Sequence, residues 1–189
     1  MKKEQLLALA AASLVSAALA LSAAGCATAR PATPGDAIKS ELKDAPGWVV
    51  KGCEPYLRAA GDHRACGVGS APTKGNSLAR DTAVARARGE LSKSLQVRIS
   101  GVLSDYQSEK TGKAPGVSQS VTDLTRQATA AGLAGSRPAD SFTSEDGTLY
   151  VLVVLDARAF RTSVANAEGI PDEMKGVLSD HAGSIFEDK

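Results

Sequence analysis

The sequence predicts an α+β fold, a single small domain in which a mixed or antiparallel sheet is covered by two to three helices. Three observations predict it. Apolar residues recur at helical spacing through the Ala-rich stretch 77–95. Residues 149–155 form an unbroken apolar run of strand length, and Glu145-Asp146-Gly147 just before it has the chemistry of a hairpin turn.

The domain is preceded by an address. Lys2 and Lys3 form a positive n-region, residues 6–21 are an uncharged Ala/Leu run, and Ser22, Ala23, Ala24 and Gly25 are small. This is the pattern of a secretory signal covering 1–25. The run is shorter than the roughly 20 residues a membrane-crossing helix needs. Ala23-Ala24-Gly25-Cys26 resembles the bacterial lipobox, with Ala23 where Leu is usual. Lipidation of Cys26 is therefore expected, and several acyl chains (palmitate among them) anchor a protein stably where one chain does not. Residues 26–45 mix Pro31, Pro34 and Gly35 with small and charged residues and read as a flexible tether.

Composition narrows the function classes. The chain has 22 Lys and Arg against 21 Asp and Glu, and loss of Lys2, Lys3 and Glu4 with the leader makes the two signs equal. That balance carries no electrostatic footprint for nucleic acid. If Cys26 carries lipid, Cys53 and Cys66 remain as a pair, and in an oxidising compartment the default reading is a disulfide. The alternative is a metal site in which His63 joins both thiolates.

The domain is expected over 46–168, followed by a C-terminal amphipathic segment, 169–189. Pro46-Gly47-Trp48-Val49-Val50 reads as a first strand, in which Trp48 is a core residue rather than an exposed contact shared with Tyr56. A second strand surrounds Cys66-Gly67-Val68-Gly69-Ser70. Gly67 and Gly69 invite a phosphate-loop reading, but Pro72 stands where a third glycine belongs, and the glycines read as a bend or a close backbone approach. Asn76 and Ser77 can cap a helix to about Leu95, carried by Ala83, Val84, Ala87, Leu91 and Leu95. Val97-Arg98-Ile99-Ser100 alternates like a strand continuing toward Tyr106, and 108–116 reads as a loop.

A second helix is expected from Ser118 or Ser120 to Ala131, with Val121, Leu124, Ala128 and Ala131 on one face. Residues 133–143 read as an interrupted strand that Pro138 places at a sheet edge. The run 149–155 is the central strand. Asp156 caps a third helix through Ala167, and Met174, Val177, Leu178 and Ile185 recur at helical spacing after Pro171 as a stripe for the domain's own sheet or for a partner. The helices are expected on one side of the sheet.

Pro46-Gly47-Trp48-Val49, Gly67-Val68-Gly69-Ser70-Ala71, Ala87-Arg88-Gly89-Glu90-Leu91 and Asp146-Gly147 with Tyr150-Val151-Leu152-Val153-Val154-Leu155-Asp156 together resemble the Lpp-twenty lipoprotein family over about 46–165. The resemblance implies a lipid-anchored envelope domain without known catalytic residues, some relatives being similar to outer-membrane lipoproteins around the flagellar base. The 53–66 segment and the stripe after Pro171 depart from the family pattern.

No catalytic residue and no cofactor are assigned: His63 and His181 sit in no nucleophile or metal motif, and Gly-x-Ser-x-Gly and His-Glu-x-x-His do not occur. The expected function is a non-catalytic envelope protein held by lipid on Cys26 to the outer membrane, facing the periplasm, with protein partners or further copies of itself. Ala27, in place of an acidic residue after the cysteine, points to the outer rather than the inner membrane. The competing readings are a periplasmic cell-wall hydrolase and a metal-binding module at Cys53, His63 and Cys66.

Overall fold

Two glycines and two alanines set how closely the main helix lies on the sheet. The structure, a computed structural model, describes residues 42, 44–60, 64–73, 78–112 and 119–187. The leader, Cys26, most of the tether, His63, Asn76 and Ser77 lie outside them. Strand β1 (Arg64–Pro72) presents Ala65, Gly67, Gly69 and Ala71, all buried, toward helix α3 (Ala79–Thr111). A Cβ on Gly67 would stand 2.1 Å from the Ala87 carbonyl oxygen, and one on Gly69 would stand 2.2 Å from that of Ala83. The backbones meet because neither side has a larger side chain there, which is the close packing that the glycines predicted.

Chain order is α1 (Gly47–Lys51), α2 (Glu54–Ala60), β1, α3, α4 (Gln119–Ala134), β2 (Arg137–Thr143), β3 (Thr148–Asp156), α5 (Ala157–Ala165), α6 (Asp172–Asp180) and α7 (Ala182–Phe186). The sheet is antiparallel in the order β1-β3-β2, so the apolar run is central and the Pro138 strand is an edge, both as expected. The α+β class holds. Asp146 makes the β2–β3 turn: it accepts the Thr148 N–H at 3.0 Å and the Ser144 hydroxyl, while Gly147 supplies φ 83. Asp156 caps α5 by accepting the Ala159 N–H at 2.8 Å.

Several expectations are corrected. Residues 46–50 are not a strand but Pro46 followed by the short helix α1, which buries Trp48 and leaves Val50 58% exposed. A five-residue apolar run has no resolvable period, and packing decided it. Val97-Arg98-Ile99-Ser100 is not a strand either. Helix α3 runs through it for 33 residues, past the expected loop start at 108, to Gly112, whose N–H bonds the Ser108 carbonyl at 2.9 Å.

The physical reason lies in the spacing of its buried residues. Ala79, Ala83, Ala87, Leu91, Leu95, Ile99 and Leu103 are all buried, one in every four. Four residues turn an α-helix through about 400°, so each step moves the stripe about 40° around the axis. The stripe therefore winds around α3 instead of marking one face. Its upper part meets β1. Lower down, Leu95 meets the α4–α5 contact, where a Cβ on Gly132 would stand 2.7 Å from the Phe160 ring and 3.3 Å from Leu95. Lower still, the Arg98 guanidinium donates to the Ile185 carbonyl of α7 at 3.0 Å.

Helices cover both faces of the sheet rather than one, and the described residues hold seven helices rather than two to three. The difference comes from α1, α2, α6 and α7, each of nine residues or fewer. The C-terminal stripe packs on α3 and α5, not on the sheet: Phe186 stands edge-on to Phe160 at 5.5 Å between ring centroids, and Leu178 and Ile185 enter the main core. The sheet has no room for it, because α3 already occupies the face that this core shares.

Gly67→Ala and Gly69→Ala are each expected to cost about 3 kcal/mol or more, since backbone rather than a movable side chain meets the added carbon. Gly89→Ala, on the open side of α3, is expected to stabilise by about 0.5–1 kcal/mol. Urea unfolding of the three variants checks the contrast.

Candidate functional site

The second face of the sheet is built by strand alternation. Cys66, Val68 and Ser70 on β1 stand opposite Val154, Leu152 and Tyr150 on β3, all turned away from α3. Trp48, Val49, Tyr56 and Leu57 of α1 and α2 pack on this face, with Cys53 between the two helices. The pairing of β2 with β3 passes from Pro138↔Val153 to Asp140↔Leu152, so Ala139 is an extra residue. Asp140 pairs with Leu152 in the register that runs back from the β2–β3 turn through Phe142↔Tyr150 and Ser141↔Val151, so it stands on the second face. There Asp140 Oδ2 accepts the Trp48 indole N–H at 2.9 Å.

Cys53 and Cys66 stand at disulfide distance, with Sγ atoms 2.05 Å and Cα atoms 5.8 Å apart. The 53–66 segment thus brings together two of the three cysteines. Cys66 is buried against the sheet, whereas Cys53 is half-buried. Trp48 is a core residue, as expected, and Tyr56 is half-buried beside it. His63, the third member of the metal alternative, lies outside the described residues, as does Cys26. Among the described residues, no three His, Cys, Asp or Glu side chains converge as a metal site would require. No helix among them is long and apolar enough to cross a membrane.

Sequence reading did not anticipate a groove along the lower half of α3. Arg98, Gly101, Val102, Asp105, Tyr106 and Glu109 form one wall and His181, Ser184 and Glu187 the other, around about 520 Å³ of open space. The Arg98 guanidinium donates to the Ile185 and Glu187 carbonyls at the end of α7 and keeps its charge beside the Asp105, Glu109 and Glu187 carboxylates that also line the opening. The Ser184 hydroxyl donates to the His181 carbonyl at 2.9 Å, so its proton is committed to backbone rather than to the imidazole. The signal for this wall was present in the four-residue repeat reaching Leu103. A reading that broke the helix at Leu95 could not place Arg98, Asp105 and Glu109 on one face.

Beside the groove, Glu173 of α6 accepts the Tyr106 hydroxyl at 2.6 Å and the Lys110 ammonium, which also lies 5.3 Å above the Tyr106 ring. The Lys110 and Tyr106 bonds hold the Glu173 carboxyl below its ordinary 4.5, and the Glu173 bond raises Lys110 above 10.5. This exposed cluster joins α6 to the end of α3.

No protein-family model matches this chain, and no curated protein matches it.

A lowered carboxyl contributes stability above its ordinary value, and that contribution is lost as pH falls through the lowered one. A raised ammonium contributes below its ordinary value and loses the contribution as pH rises through the raised one. The Lys110–Glu173 pair should therefore be fully effective between about pH 4.5 and 10.5. In thermal melts, Glu173→Gln is expected to lie below the parent by a constant small margin from pH 6 to 9. The two curves should converge below pH 4.5.

Proposed function

We propose that this protein is a non-catalytic, lipid-anchored component of the bacterial envelope. Acyl chains on Cys26 hold it to the outer membrane, and its domain binds or assembles with other envelope proteins on the periplasmic side. The observation that carries this reading is how the cysteines divide. Two of the three stand at disulfide distance, and the third directly follows the small residues behind an apolar leader. A disulfide is at home in an oxidising compartment, and that leader directs export to one.

The pair geometry favours a bridge over the metal alternative, because two bonded sulfurs do not serve as two thiolate ligands. Closing this loop of 13 residues contributes roughly 3 kcal/mol in the chain-entropy model. The groove beside α3 supports a binding role, since its three carboxylates suit a partner that offers Lys or Arg. The Lpp-twenty resemblance belongs to the same reading and extends it to the surroundings of the flagellar base.

Intact mass of the membrane-extracted protein tests the anchor and the bridge together. The expected mass is that of residues 26–189 plus acyl groups, with two alkylatable thiols that appear only after reduction. An unacylated mass would overturn the anchor, and thiols free before reduction would overturn the bridge. A cleared zone in zymography against purified cell wall would replace the binding role with hydrolysis.

A further inference from the structure

The second face of the sheet is covered by chain that packing alone holds weakly. Helices α1 and α2 have five and seven residues, lengths at which a helix does not sustain itself in water. Trp48 is the one side chain of the two that is buried among the described residues. On the opposite face, by contrast, β1 and β3 share a continuous core with α3 to α7. Directional links join the cover to the sheet at the Trp48–Asp140 hydrogen bond, 2.9 Å long, and at the Cys53–Cys66 pair. The cover also lies between Cys26 and the rest of the domain in chain order, so whether it is docked sets how much chain separates the lipid from the folded body.

We propose that the Cys53–Cys66 bond is a redox-operated clasp. Its cleavage releases α1 and α2 from the sheet while the α3-side core stays folded, and the chain between Cys26 and the folded body then runs to position 63 instead of 46. The proposal rests on the disulfide and lipid readings above.

The reductant is a dithiol. One of its thiolates attacks Sγ of Cys53, the more accessible sulfur because Cys53 is half-buried and Cys66 buried. The S–S bond breaks, and Cys66 leaves as a thiolate that takes a proton from solvent. The second thiolate of the reductant then attacks its own sulfur in the mixed disulfide and frees Cys53, which is protonated in turn. Two electrons and two protons pass to the protein, and the reductant departs as a cyclic disulfide. Opening a loop of 13 residues shifts the docked-to-released balance roughly a hundredfold toward release. The added chain, 47–63, lengthens the maximum reach from the lipid by about 60 Å at full extension.

Trp48 is the only tryptophan in the chain, so its emission reports the cover alone. The full-length protein from detergent-solubilised membranes is compared oxidised, after dithiothreitol, and as the Cys53→Ser/Cys66→Ser variant. Reduction is expected to shift Trp48 emission to the red and raise acrylamide quenching several-fold, with the helical circular dichroism of the body and its cooperative melt retained. Reduction of folded parent protein gives the same reading if the double variant does not accumulate. Unchanged emission and quenching, with two newly alkylatable thiols present, would overturn the clasp. So would loss of the helical signal together with Trp48 burial, because the cover would then not be a separate unit. Two thiols free before reduction would overturn both the bridge and the clasp, whereas an unacylated mass would overturn only the lipid anchor and its reach.

Discussion

The close approach of β1 to α3 is the constraint on which the rest of the structure depends. Gly67 and Gly69 leave no side chain between the strand and the Ala83 and Ala87 carbonyls, and those alanines are themselves completely buried. A contact that tight aligns the helix on the strand. The register of β1 with β3 then decides which residues of the central strand share that layer: Val153 lies opposite Gly67 and Val151 opposite Gly69. Both valines enter the core that α3 organises. Small residues at the contact and branched residues beside it divide the work, since the glycines admit the helix and the valines fill the space around it.

The four-residue spacing along α3 carries this arrangement from the sheet into a helical bundle. A stripe that stayed on one face would hold 33 residues against a single layer. Because it winds, the same helix serves the sheet with its alanines, the α4–α5 contact with Leu95, and the C-terminal helices with Ile99, Leu103 and the Arg98 guanidinium. The residue sizes follow the partners. Alanines line the part that meets strand backbone, and leucine and isoleucine line the part that meets side chains. The groove is a by-product of the same geometry, formed where α3 extends beyond the sheet and α6 and α7 fold back along it.

The second face works on another principle. There the sheet is covered by two short helices held through a buried indole, the Asp140 carboxylate and a cysteine pair. The register counted back from the β2–β3 turn puts Asp140 opposite Leu152, on the face where Trp48 lies. A face assembled from few links is the part of a domain that can open without unfolding the rest. The proposed clasp relies on that property.

By itself the sequence determined the elements whose cause is local. Asp146-Gly147 made the turn because a short carboxylate and a glycine at positive φ satisfy it without outside help, and Asp156 capped α5 for a similar reason. Residues 149–155 were legible as the central strand because a strand buried on both faces must be apolar throughout. The cysteine count was legible too, since pairing needs only proximity and compartment. Tertiary structure decided the remainder. The helix α1 formed just after Pro46 because Trp48 had a sheet face and a carboxylate to meet, neither visible within five residues of sequence. Val97 was drawn into α3 although it is 74% exposed, because Ile99 beside it belongs to a stripe whose partners change from strand to helix along its length. The spacing of four runs through the sequence to Leu103, but a stripe that winds marks no single face, so the long helix and the groove along it emerged only when the pieces packed.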